Sequence, residues 1–301
     1  MTPSHAGDEP RGGTSKPPWL RVRIPAAGAA LGVSRLMRGF GLHTVCEEAH
    51  CPNRGECWAH GTATFLILGD VCTRACAFCA VTSGKPSAPP DPDEPRRVAE
   101  AVSSLQLAHA VLTSVSRDDL PDGGAASFAA CVREIRVRVP TCQVEVLIPD
   151  FRGDEQALAR VVESRPDVLN HNVETVPRLY GRIRPHARFE RSLEVLSRAH
   201  AAGLLAKSGL MVGLGEDAPE VHATLVSLRA AGVEMLTIGQ YLRPSQAHVP
   251  VQRYYTPAEF DDLGQRARRL GFRHVASGPL VRSSYHAQEQ HSSLRVSVGS
   301  R

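Results

Sequence analysis

Six cysteines between residues 46 and 79 are the residues of this chain most able to do chemistry. They form two triplets, spaced C-x4-C-x5-C and C-x3-C-x2-C: Cys46, Cys51 and Cys57, then Cys72, Cys76 and Cys79. Thiolates bind zinc and iron–sulfur clusters, and a structural zinc ion or a four-iron cluster takes four ligands. Each triplet is therefore one ligand short. A metal site that keeps a coordination position open is the reactive kind, because a substrate or cofactor can enter there.

Other interpretations of the second triplet stay open on spacing alone. A zinc site completed by a remote residue and a ferredoxin-like electron carrier both use such cysteines. Disulfides are not expected in a chain of this length that shows no export signal. The two remaining cysteines, Cys131 and Cys142, stand alone and are predicted to be small buried residues.

The composition is that of an ordinary globular protein and argues against several classes of function. Of the 301 residues 42% are hydrophobic and 22% are charged, and the net charge is only +4. No Lys/Arg run predicts nucleic-acid binding, and no apolar run reaches the roughly 20 residues of a membrane span. Residues 1–18 are polar and include Asp8 and Glu9, which argues against a signal or transit peptide. We expect a disordered tail there, on a cytoplasmic protein.

Short β-rich runs alternate with helix-length segments after Thr62. The predicted strands are apolar and rich in β-branched residues, and comprise 64–68, 110–115, 143–148, 168–173, 208–213, 235–240 and, more weakly, 274–277. The predicted helices lie between them at 93–107, 123–139, 154–164, 190–203, 218–231 and 256–270. Continuous apolar strands separated by helices indicate parallel βαβ units. We expect an α/β fold with a partial, six-unit (β/α) TIM-type barrel, although periodicity alone also permits an open sheet.

Polar clusters follow the predicted strands at the points where the strands should end. They include GDVCTRACAFC, SRDDLPDGG, HNVET, GLGED and SGPLVRSSYHA. Barrels of this kind gather their active-site residues at the carboxyl ends of the strands. These loops are therefore predicted to form one rim, with N- and C-terminal extensions packed over the barrel mouth.

The second triplet resembles the signature of the radical S-adenosylmethionine (SAM) superfamily. Phe78 directly precedes Cys79 and supplies the aromatic residue of C-x3-C-x-aromatic-C. The resemblance implies that Cys72, Cys76 and Cys79 hold a 4Fe-4S cluster whose open iron binds SAM.

Further stretches match the same superfamily and imply contacts to SAM. The segment GLMVGLGE has the spacing of G-x-I-x-G-x-x-E, which helps to seat the adenine, through Gly209, Met211, Gly213 and Glu216. Gly123 and Gly124 take the place of a glycine pair near the methionine amino group, although a Gly-Gly turn is common. Glu174 is a candidate ribose contact, and an ordinary helix-start carboxylate is as good an interpretation. His171, in the same segment, is equally well a satisfied core histidine.

The first triplet resembles the auxiliary-cluster motif of the lipoyl synthase family. The match runs in the same order along residues 16 to 290 and includes KPPWLRVRIP, RDDLPDGGA, LNHNVETVPRLY, LTIGQYLRPS and RSSY. In that family a serine of R-S-S-Y is the fourth ligand of the auxiliary cluster. The candidates here are Ser283 and Ser284, and we expect Ser284, beside Tyr285. On the residues alone, the better interpretation is that both serines cap a turn.

One position departs from the pattern of that family. Ser116, in SVSRDDL, stands where many members have an acidic residue, and we interpret it as drift without loss of activity. Arg117 and Asp118 are retained, and a local ion pair is their plainest explanation.

The resemblance implies an activity: insertion of two sulfur atoms, at C6 and C8, into an octanoyl group attached to a lysine of a lipoyl carrier protein. Such C–H bonds do not ionise at neutral pH, so acid–base catalysis cannot suffice. Two 4Fe-4S clusters and SAM are the implied cofactors, with the auxiliary cluster of Cys46, Cys51, Cys57 and Ser284 as sulfur donor. The implied partners are a glycine cleavage H protein or an E2 lipoyl domain, an electron donor such as ferredoxin or flavodoxin, and an iron–sulfur carrier that rebuilds the consumed cluster.

The chain is predicted to divide into four parts: a disordered tail (1–18), an extension with the auxiliary cysteines (19–61), a radical SAM barrel (62–277) and an extension with R-S-S-Y (278–301). The alternatives are another radical SAM enzyme that inserts sulfur, a non-catalytic iron–sulfur electron carrier, and a zinc-binding interaction module. A small electron carrier needs no six-unit barrel. Biotin synthase, which also inserts sulfur, lacks the upstream C-x4-C-x5-C.

Overall fold

The computed structural model describes residues 16–21, 28–48, 51, 53–59, 63–285 and 287. Its strands are β1 (His43–Thr44), β2 (Thr64–Ile67), β3 (Val71–Cys72), β4 (Thr82–Ser83), β5 (His109–Ser114), β6 (Gln143–Leu147), β7 (Val168–Asn170), β8 (Leu205–Val212), β9 (Met235–Gln240) and β10 (His274–Gly278). Its α-helices are α1 (Gly28–Gly39), α2 (Val45–Glu48), α3 (Arg54–Ala59), α4 (Glu94–Ser104), α5 (Ala125–Arg138), α6 (Glu155–Glu163), α7 (Tyr180–Ile183), α8 (Phe189–Ala201), α9 (Ala218–Ala230) and α10 (Pro257–Arg269). Short 3-10 helices lie at Pro18–Leu20, Phe151–Gly153 and Pro177–Leu179.

A sheet of parallel strands carries the candidate site. Its order is β2-β5-β6-β7-β8-β9-β10, and β1 adds an antiparallel edge strand to β2. Since the strand order follows the chain, the crossovers run in one sense and the carboxyl ends meet at one rim. Among the described residues, no ladder joins β10 to β2, so the barrel is partial and not closed. The predicted α/β partial barrel is confirmed.

The predicted strands and helices of the barrel agree with the structure to within a few residues. The largest differences are of three residues: β7 ends at Asn170 and not at 173, β8 begins at Leu205 and not at 208, and α4 ends at Ser104 and not at 107. After Asn170 the chain leaves the sheet and returns for a single bridge, between Glu174 and Leu210. The polar residues of the HNVET segment nevertheless stay largely covered: His171, Asn172 and Thr175 are buried and Glu174 is half-buried.

Burial on both faces explains why these strands read as continuous apolar runs. Every residue of β2 and of β9 is buried. Two of the helices on the outside begin at capping boxes, which satisfy their first N–H groups. Asp217 with Glu220 forms a capping box at α9, and Thr256 with Glu259 forms one at α10.

A group of buried polar side chains crosses one face of the sheet near the strand starts. Lys207 Nζ donates to both carboxylate oxygens of Glu145, at 2.9 and 3.0 Å, and Asn170 Nδ2 donates to Glu145 Oε1 at 3.1 Å. Burial alone would raise the pKa of Glu145, but the Lys207 ammonium and His109 outweigh it and hold the pKa low. A buried charge is costly unless it is paired in this way.

The N-terminal residues divide into described and undescribed parts. Residues 1–15 of the predicted disordered tail lie outside the described residues, so that prediction is not tested. Trp19 Nε1 donates to Tyr255 O at 3.2 Å, and Leu20 is buried, so the described start of the chain packs on the barrel. Helix α1 was not predicted from the sequence. In the part of the chain that the structure describes, none of the helices is both long enough and apolar enough to cross a membrane.

Candidate active site

The C-x3-C-x2-C loop follows β2 and lies at the rim of the sheet. Within it, Arg74 is 5% exposed and donates two hydrogen bonds to Asp118, Nε–Oδ2 at 2.7 Å and Nη2–Oδ1 at 2.9 Å. Arg74 Nη2 also donates to Asp150 Oδ1 at 2.6 Å. Asp118 and Asp150 follow β5 and β6, so these ion pairs connect the cysteine loop to two neighbouring strand ends. Breaking a buried ion pair on one side is strongly destabilising, so the loop is held firmly.

The sulfur of Cys72 accepts two backbone hydrogen bonds. The donors are the N–H of Arg74, at 3.4 Å, and the N–H of Ser116, at 3.3 Å. The carbonyl of Ser116 accepts in turn from Thr73 N and Oγ1, both at 3.0 Å. Ser116 thus contributes through its main chain, which agrees with the interpretation of its side chain as drift.

The other two thiols of the loop are partly buried. Burial raises the pKa of Cys76 above its usual value, although the charge of Arg184 opposes the rise, and burial raises the pKa of Cys79 to about 12. Negative charge on the neighbouring cysteines adds to both increases, so the three sulfurs are close enough to repel one another as thiolates. A bound metal removes this penalty because coordinating thiols are deprotonated outright. The donor set therefore fits a cationic cluster.

The loop after β9 covers the last turn of the cysteine loop. Val249 N donates to Ala77 O at 3.1 Å, and His248 Nε2 lies 2.9 Å from Cys79 O. Phe78 is half-buried and packs, with Val249, against the core formed by the second half of the barrel. The aromatic residue of the signature is thus part of the packing that positions the thiols.

Glu174 lies beside the strand that carries G-x-M-x-G-x-x-E. Its N–H donates to Gly209 O at 3.0 Å, and its carbonyl accepts from Met211 N at 2.9 Å. Its φ is +64°, a conformation that non-glycine residues rarely adopt and that often marks functional sites. Burial raises the pKa of the Glu174 carboxyl, against the charge of Arg184. Two segments that were predicted separately to contact SAM therefore lie next to each other.

Close packing accounts for the glycines of this motif. A Cβ on Gly213, whose φ is +98°, would lie 2.2 Å from Gln240 Nε2 and 2.6 Å from Arg253 O. A Cβ on Gly209 would lie 2.5 Å from Thr237 Oγ1. No side chain fits at either position without moving its neighbours.

The oxygens of the Glu216 carboxylate accept hydrogen bonds from groups of the protein. The carboxylate accepts from Gly213 N at 2.6 Å, from Leu214 N at 2.9 Å and from Tyr255 Oη at 2.9 Å, and Glu216 is 8% exposed. Glu216 thus fixes the turn after β8. Any part that it takes in seating the adenine is indirect, through the backbone that it holds.

The glycine pair after β5 forms a turn against the end of β2. Gly123 and Gly124 have φ values of +59° and +90°, and Gly124 precedes the first residue of α5. A Cβ on Gly124 would lie 2.2 Å from Leu68 Cδ1, and one on Gly123 would lie 3.0 Å from Phe151 Cδ1. The pair is therefore required by the backbone and by packing, whatever ligand it also contacts.

Arg184 is a buried cation at the rim that sequence reasoning missed. It is 9% exposed, and its Nη1 donates to Asn172 O at 2.9 Å and to Val173 O at 3.1 Å. Its guanidinium carbon lies 5.4 Å from the ring centroid of Tyr180. A single arginine has no pattern of types or spacing, so only the tertiary structure could single it out.

The first cysteine triplet lies on two short helices of the N-terminal extension. Cys46 is in α2 and Cys57 is in α3, while Cys51 lies between them and donates its N–H to Cys46 O at 3.2 Å. Asn53 Nδ2 donates to Leu280 O at 2.7 Å. The segment between the cysteines is thus joined to the C-terminal extension.

The R-S-S-Y segment lies beside that triplet. Tyr285 Oη donates to Glu56 Oε1 at 3.1 Å. Burial lowers the pKa of Arg282, and the charge of Cys51 opposes the shift, so Arg282 is an electrostatic neighbour of that cysteine. The two candidate serines lie in the turn between Arg282 and Tyr285: Ser283 and Ser284. Coordination of iron by Ser284 stays a prediction.

Two further residues named from the sequence have structural roles. His171 Nδ1 lies 2.8 Å from Ile148 O and its Nε2 lies 3.0 Å from Ser192 Oγ, and burial lowers its pKa to about 4. It is a satisfied core histidine. Arg117 Nε donates to Asp119 Oδ1 at 2.9 Å, whereas Asp118 pairs with the distant Arg74, so the local ion pair expected for Arg117 and Asp118 is wrong.

Comparison with known proteins gives matches over most of the chain. The family model of the radical SAM superfamily matches residues 66–228. The chain is 57% identical to a lipoyl synthase of Rubrobacter xylanophilus, over 93% of this chain and 88% of that protein. It is 59% identical to a lipoyl synthase of a Roseiflexus species, over 90% of this chain and 91% of that protein. The solved structure of Streptococcus suis SuiB bound to S-adenosylmethionine is similar in fold, with a TM-score of 0.54 over 72% of this chain and 50% of that chain, at 8% identity.

The partial barrel, the cysteine loop at its rim and the matching family model define a radical SAM enzyme. The N-terminal triplet and the R-S-S-Y segment narrow the class, as does the high identity over nine-tenths of the chain. The chain belongs to the lipoyl synthase family, as the resemblance in its sequence indicated. Its cofactors are SAM and 4Fe-4S clusters, as expected for that family. The alternatives of a non-catalytic electron carrier and a zinc-binding interaction module do not fit this membership.

Among the described residues, no three His, Cys, Asp or Glu side chains are arranged to hold a single metal ion. The two cysteine triplets are therefore assigned as cluster ligands from their chemistry and their family, and the assignment of each residue stays a prediction.

Proposed function

We propose that the chain inserts two sulfur atoms, at C6 and C8, into an octanoyl group bound to a lysine of a lipoyl carrier protein. One observation carries the proposal: the segment with the first cysteine triplet is joined to the R-S-S-Y segment by the Asn53–Leu280 and Glu56–Tyr285 hydrogen bonds. A radical SAM enzyme with a single cluster needs one set of three cysteines. The joined extensions offer a second set of ligands beside the first.

Cys72, Cys76 and Cys79 hold the first 4Fe-4S cluster and leave one iron for SAM. When bound, the reduced cluster and SAM supply a primary carbon radical that can remove hydrogen from an unactivated C–H bond. The protein contributes the positions of these groups. The Arg74–Asp118–Asp150 ion pairs hold the loop, and the main-chain N–H groups on Cys72 stabilise its thiolate.

The SAM pocket lies along the rim between the cysteine loop and β8. Gly209, Met211 and Gly213 seat the adenine against bare backbone, and Glu216 holds the turn that follows. Glu174, bridged to β8, contacts the ribose. Two further groups line the pocket, at the methionine end and beside the cluster: Gly123 with Gly124, and Phe78.

Cys46, Cys51, Cys57 and Ser284 hold the auxiliary 4Fe-4S cluster, which is the source of sulfur. A serine oxygen is a harder and poorer ligand than thiolate for iron in such a cluster. That property suits a bond that must break during turnover. The second extension would thus supply, through Ser284, the most weakly bound ligand of the auxiliary cluster.

The partners follow from this chemistry. The substrate carrier is a glycine cleavage H protein or an E2 lipoyl domain, the electron donor is a ferredoxin or flavodoxin, and an iron–sulfur carrier rebuilds the auxiliary cluster. We place the reaction in the cytoplasm, where reducing conditions keep thiols available. The chain divides by role into the extension 19–61, the barrel 62–277 and the extension 278–301.

Anaerobic reconstitution with iron and sulfide, followed by SAM, a low-potential reductant and an octanoylated carrier peptide, tests the proposal. We expect about eight irons and about eight acid-labile sulfides per chain, because each cluster holds four of each. The peptide should gain the mass of two sulfur atoms. Cys142→Ala is the matched control, since this buried cysteine lies outside both triplets. Uptake of one cluster per chain, or a peptide without added sulfur, would contradict the proposal.

A further inference from the structure

Arg184 directly follows a residue that is hydrogen-bonded to the middle of the cysteine loop. The N–H of Ala77 donates to Ile183 O at 2.9 Å, which joins the residue after Cys76 to the residue before Arg184. Arg184 is 9% exposed, so its charge is screened little by water. Of the charged groups that act on the Cys76 thiol, Arg184 has the largest effect.

The hydrogen-bond partners of Arg184 are all neutral. Its Nη1 donates to the carbonyls of Asn172 and Val173, and lies 3.4 Å from the hydroxyl of Tyr180. Among the described residues, its Nε has no hydrogen-bond partner and no carboxylate lies within ion-pair distance of it. Arg74, the buried arginine within the cysteine loop, is by contrast paired with two aspartates.

An isolated buried cation is expensive unless a negative charge compensates it. Glu174 and Asp150 act on Arg184 from a distance, and so does Cys76. Arg184 therefore lacks a negative charge beside it. Three thiolates and a reduced cluster would supply that charge. The potential of an iron–sulfur cluster depends on the net charge and the hydrogen bonds around it.

We infer that Arg184 tunes the reduction potential of the cluster held by Cys72, Cys76 and Cys79. Its buried positive charge stabilises the reduced state of that cluster and so raises the potential. The inference rests on the proposed function, which assigns those ligands. In the step concerned, a low-potential protein of the ferredoxin or flavodoxin class loses one electron and the cluster gains it, without transfer of a proton. Arg184 stays protonated throughout.

The test is a redox titration followed by electron paramagnetic resonance on the full chain. A background variant with Cys46→Ala, Cys51→Ala and Cys57→Ala leaves a single cluster to observe. In that background, Arg184→Gln should make reduction at least tenfold less favourable, a shift of about 59 mV to more negative potential. Arg184→Lys keeps the charge and should recover most of the difference.

The matched control is Arg182→Gln, in the short helix α7 that ends at Ile183, directly before Arg184. Arg182 is exposed and donates to Leu214 O at 2.7 Å, so its removal should leave the potential of the cluster unchanged. If the Arg184→Gln variant does not bind iron, the same redox titration is carried out on Glu174→Gln. Removing the carboxylate that faces Arg184 should then raise the potential.

The outcomes separate this inference from the proposed function. A background variant that binds no cluster contradicts the assignment of Cys72, Cys76 and Cys79. A cluster that binds normally and keeps its potential within threefold in Arg184→Gln overturns the role of Arg184 alone. An unchanged potential in Glu174→Gln, where that variant serves as the test, overturns it equally.

Discussion

Arg74 offers no ligand to iron, yet its guanidinium determines where the three cysteines of its loop lie. It is almost fully buried and pairs with Asp118 and Asp150, which come from two different strand ends. Desolvating three charges costs free energy that only good hydrogen-bond geometry recovers. The loop is thus held by the same contacts that would be most costly to break.

Replacing Arg74 by methionine should lower the free energy of unfolding by about 3 kcal/mol, because buried Asp150 would lose its shorter ion pair and keep only that with Arg191, at 3.2 Å. Urea unfolding of the iron-free chain at pH 7 measures it. Arg96→Met is the control: Arg96 also pairs with two carboxylates, Asp93 and Glu100, but lies on the exposed side of α4. We expect no measurable change for that variant. Equal losses in both would show that the buried pairs do not hold the loop.

Protonation of Asp150 should make the free energy of unfolding depend on pH. Burial alone would raise its pKa, but the hydrogen bond and charge of Arg74 outweigh burial and lower the pKa to about 2. The unfolded value is about 3.9, so Asp150 contributes stability that is complete above about pH 4 and is lost as the pH falls through about 2. The size is on the order of 2 kcal/mol.

The measurement compares wild type with Asp150→Asn by urea unfolding between pH 6 and pH 2. The stability difference between them should shrink as the pH falls. A difference that stays constant over this range would show that the pKa of Asp150 is the same in the folded and the unfolded chain, which would contradict the role of Arg74 in lowering it.

At the scale of elements, β8 decides how the rim is built. Its last residues face Glu174 on one side and β9 on the other, and the turn after it is fixed by Glu216. Glycines in β8 and in the turn after it let the neighbouring segments approach closely. The motif is therefore a packing solution for this part of the rim as well as a candidate contact for adenine.

Gly213→Ala tests that interpretation. Its Cβ would collide with Gln240 and Arg253, and its φ is +98°, so we expect a loss of about 2–4 kcal/mol and much weaker binding of SAM. Gly203→Ala separates the two causes, because its φ is +79° with open space around the new Cβ. Gly203→Ala should lose only about 1–2 kcal/mol, from the backbone conformation. Equal losses in urea unfolding would mean that packing at Gly213 is unimportant.

The barrel elements were predictable because their signals are local. Each strand is a continuous apolar run, and capping residues such as Asp217 and Thr256 mark where helices begin. Helix α1 and the short strands β1, β3 and β4 were missed. Helix α1 consists largely of small residues at its start, and the two-residue strands form only because the chain on either side is already held.

At the scale of the whole molecule, the two extensions meet beside the barrel rim. Tyr285 and Glu56 are separated by 229 positions in the chain and are joined by one hydrogen bond. Asn53 and Leu280 form a second such contact, over 227 positions. The auxiliary ligands thus depend on the closure of the entire fold.

Tyr285→Phe should weaken this junction. Removing a hydrogen bond to a carboxylate costs about 1.5–3 kcal/mol, and we expect the auxiliary cluster to lose iron to a chelator several-fold faster. The iron bound by the cysteine loop should be released at the rate of the wild type. Tyr254→Phe, on the loop before α10, is the control. Identical release curves for Tyr285→Phe and wild type would contradict a role for the junction.

Substitutions in the two cysteine triplets should affect different steps of the reaction. Cys46→Ala, Cys51→Ala or Cys57→Ala should leave cleavage of SAM to 5′-deoxyadenosine intact and abolish insertion of sulfur. Cys72→Ala, Cys76→Ala or Cys79→Ala should abolish both, because the radical is then not formed. Chromatography of 5′-deoxyadenosine and the mass of the carrier peptide measure the two steps. Sulfur insertion by any variant of the first triplet would contradict this division.

The sequence by itself determined the candidate thiol ligands, their spacing, the barrel strands and the family. These are properties of short stretches, so residue type and periodicity suffice to read them. The tertiary structure alone decided that Arg74 pairs with partners 44 and 76 positions away, and that Arg184 is buried without a carboxylate partner among the described residues. Such contacts arise when packing of distant segments excludes water. Burial, and not spacing in the sequence, then sets the energy with which each charged group interacts with its neighbours.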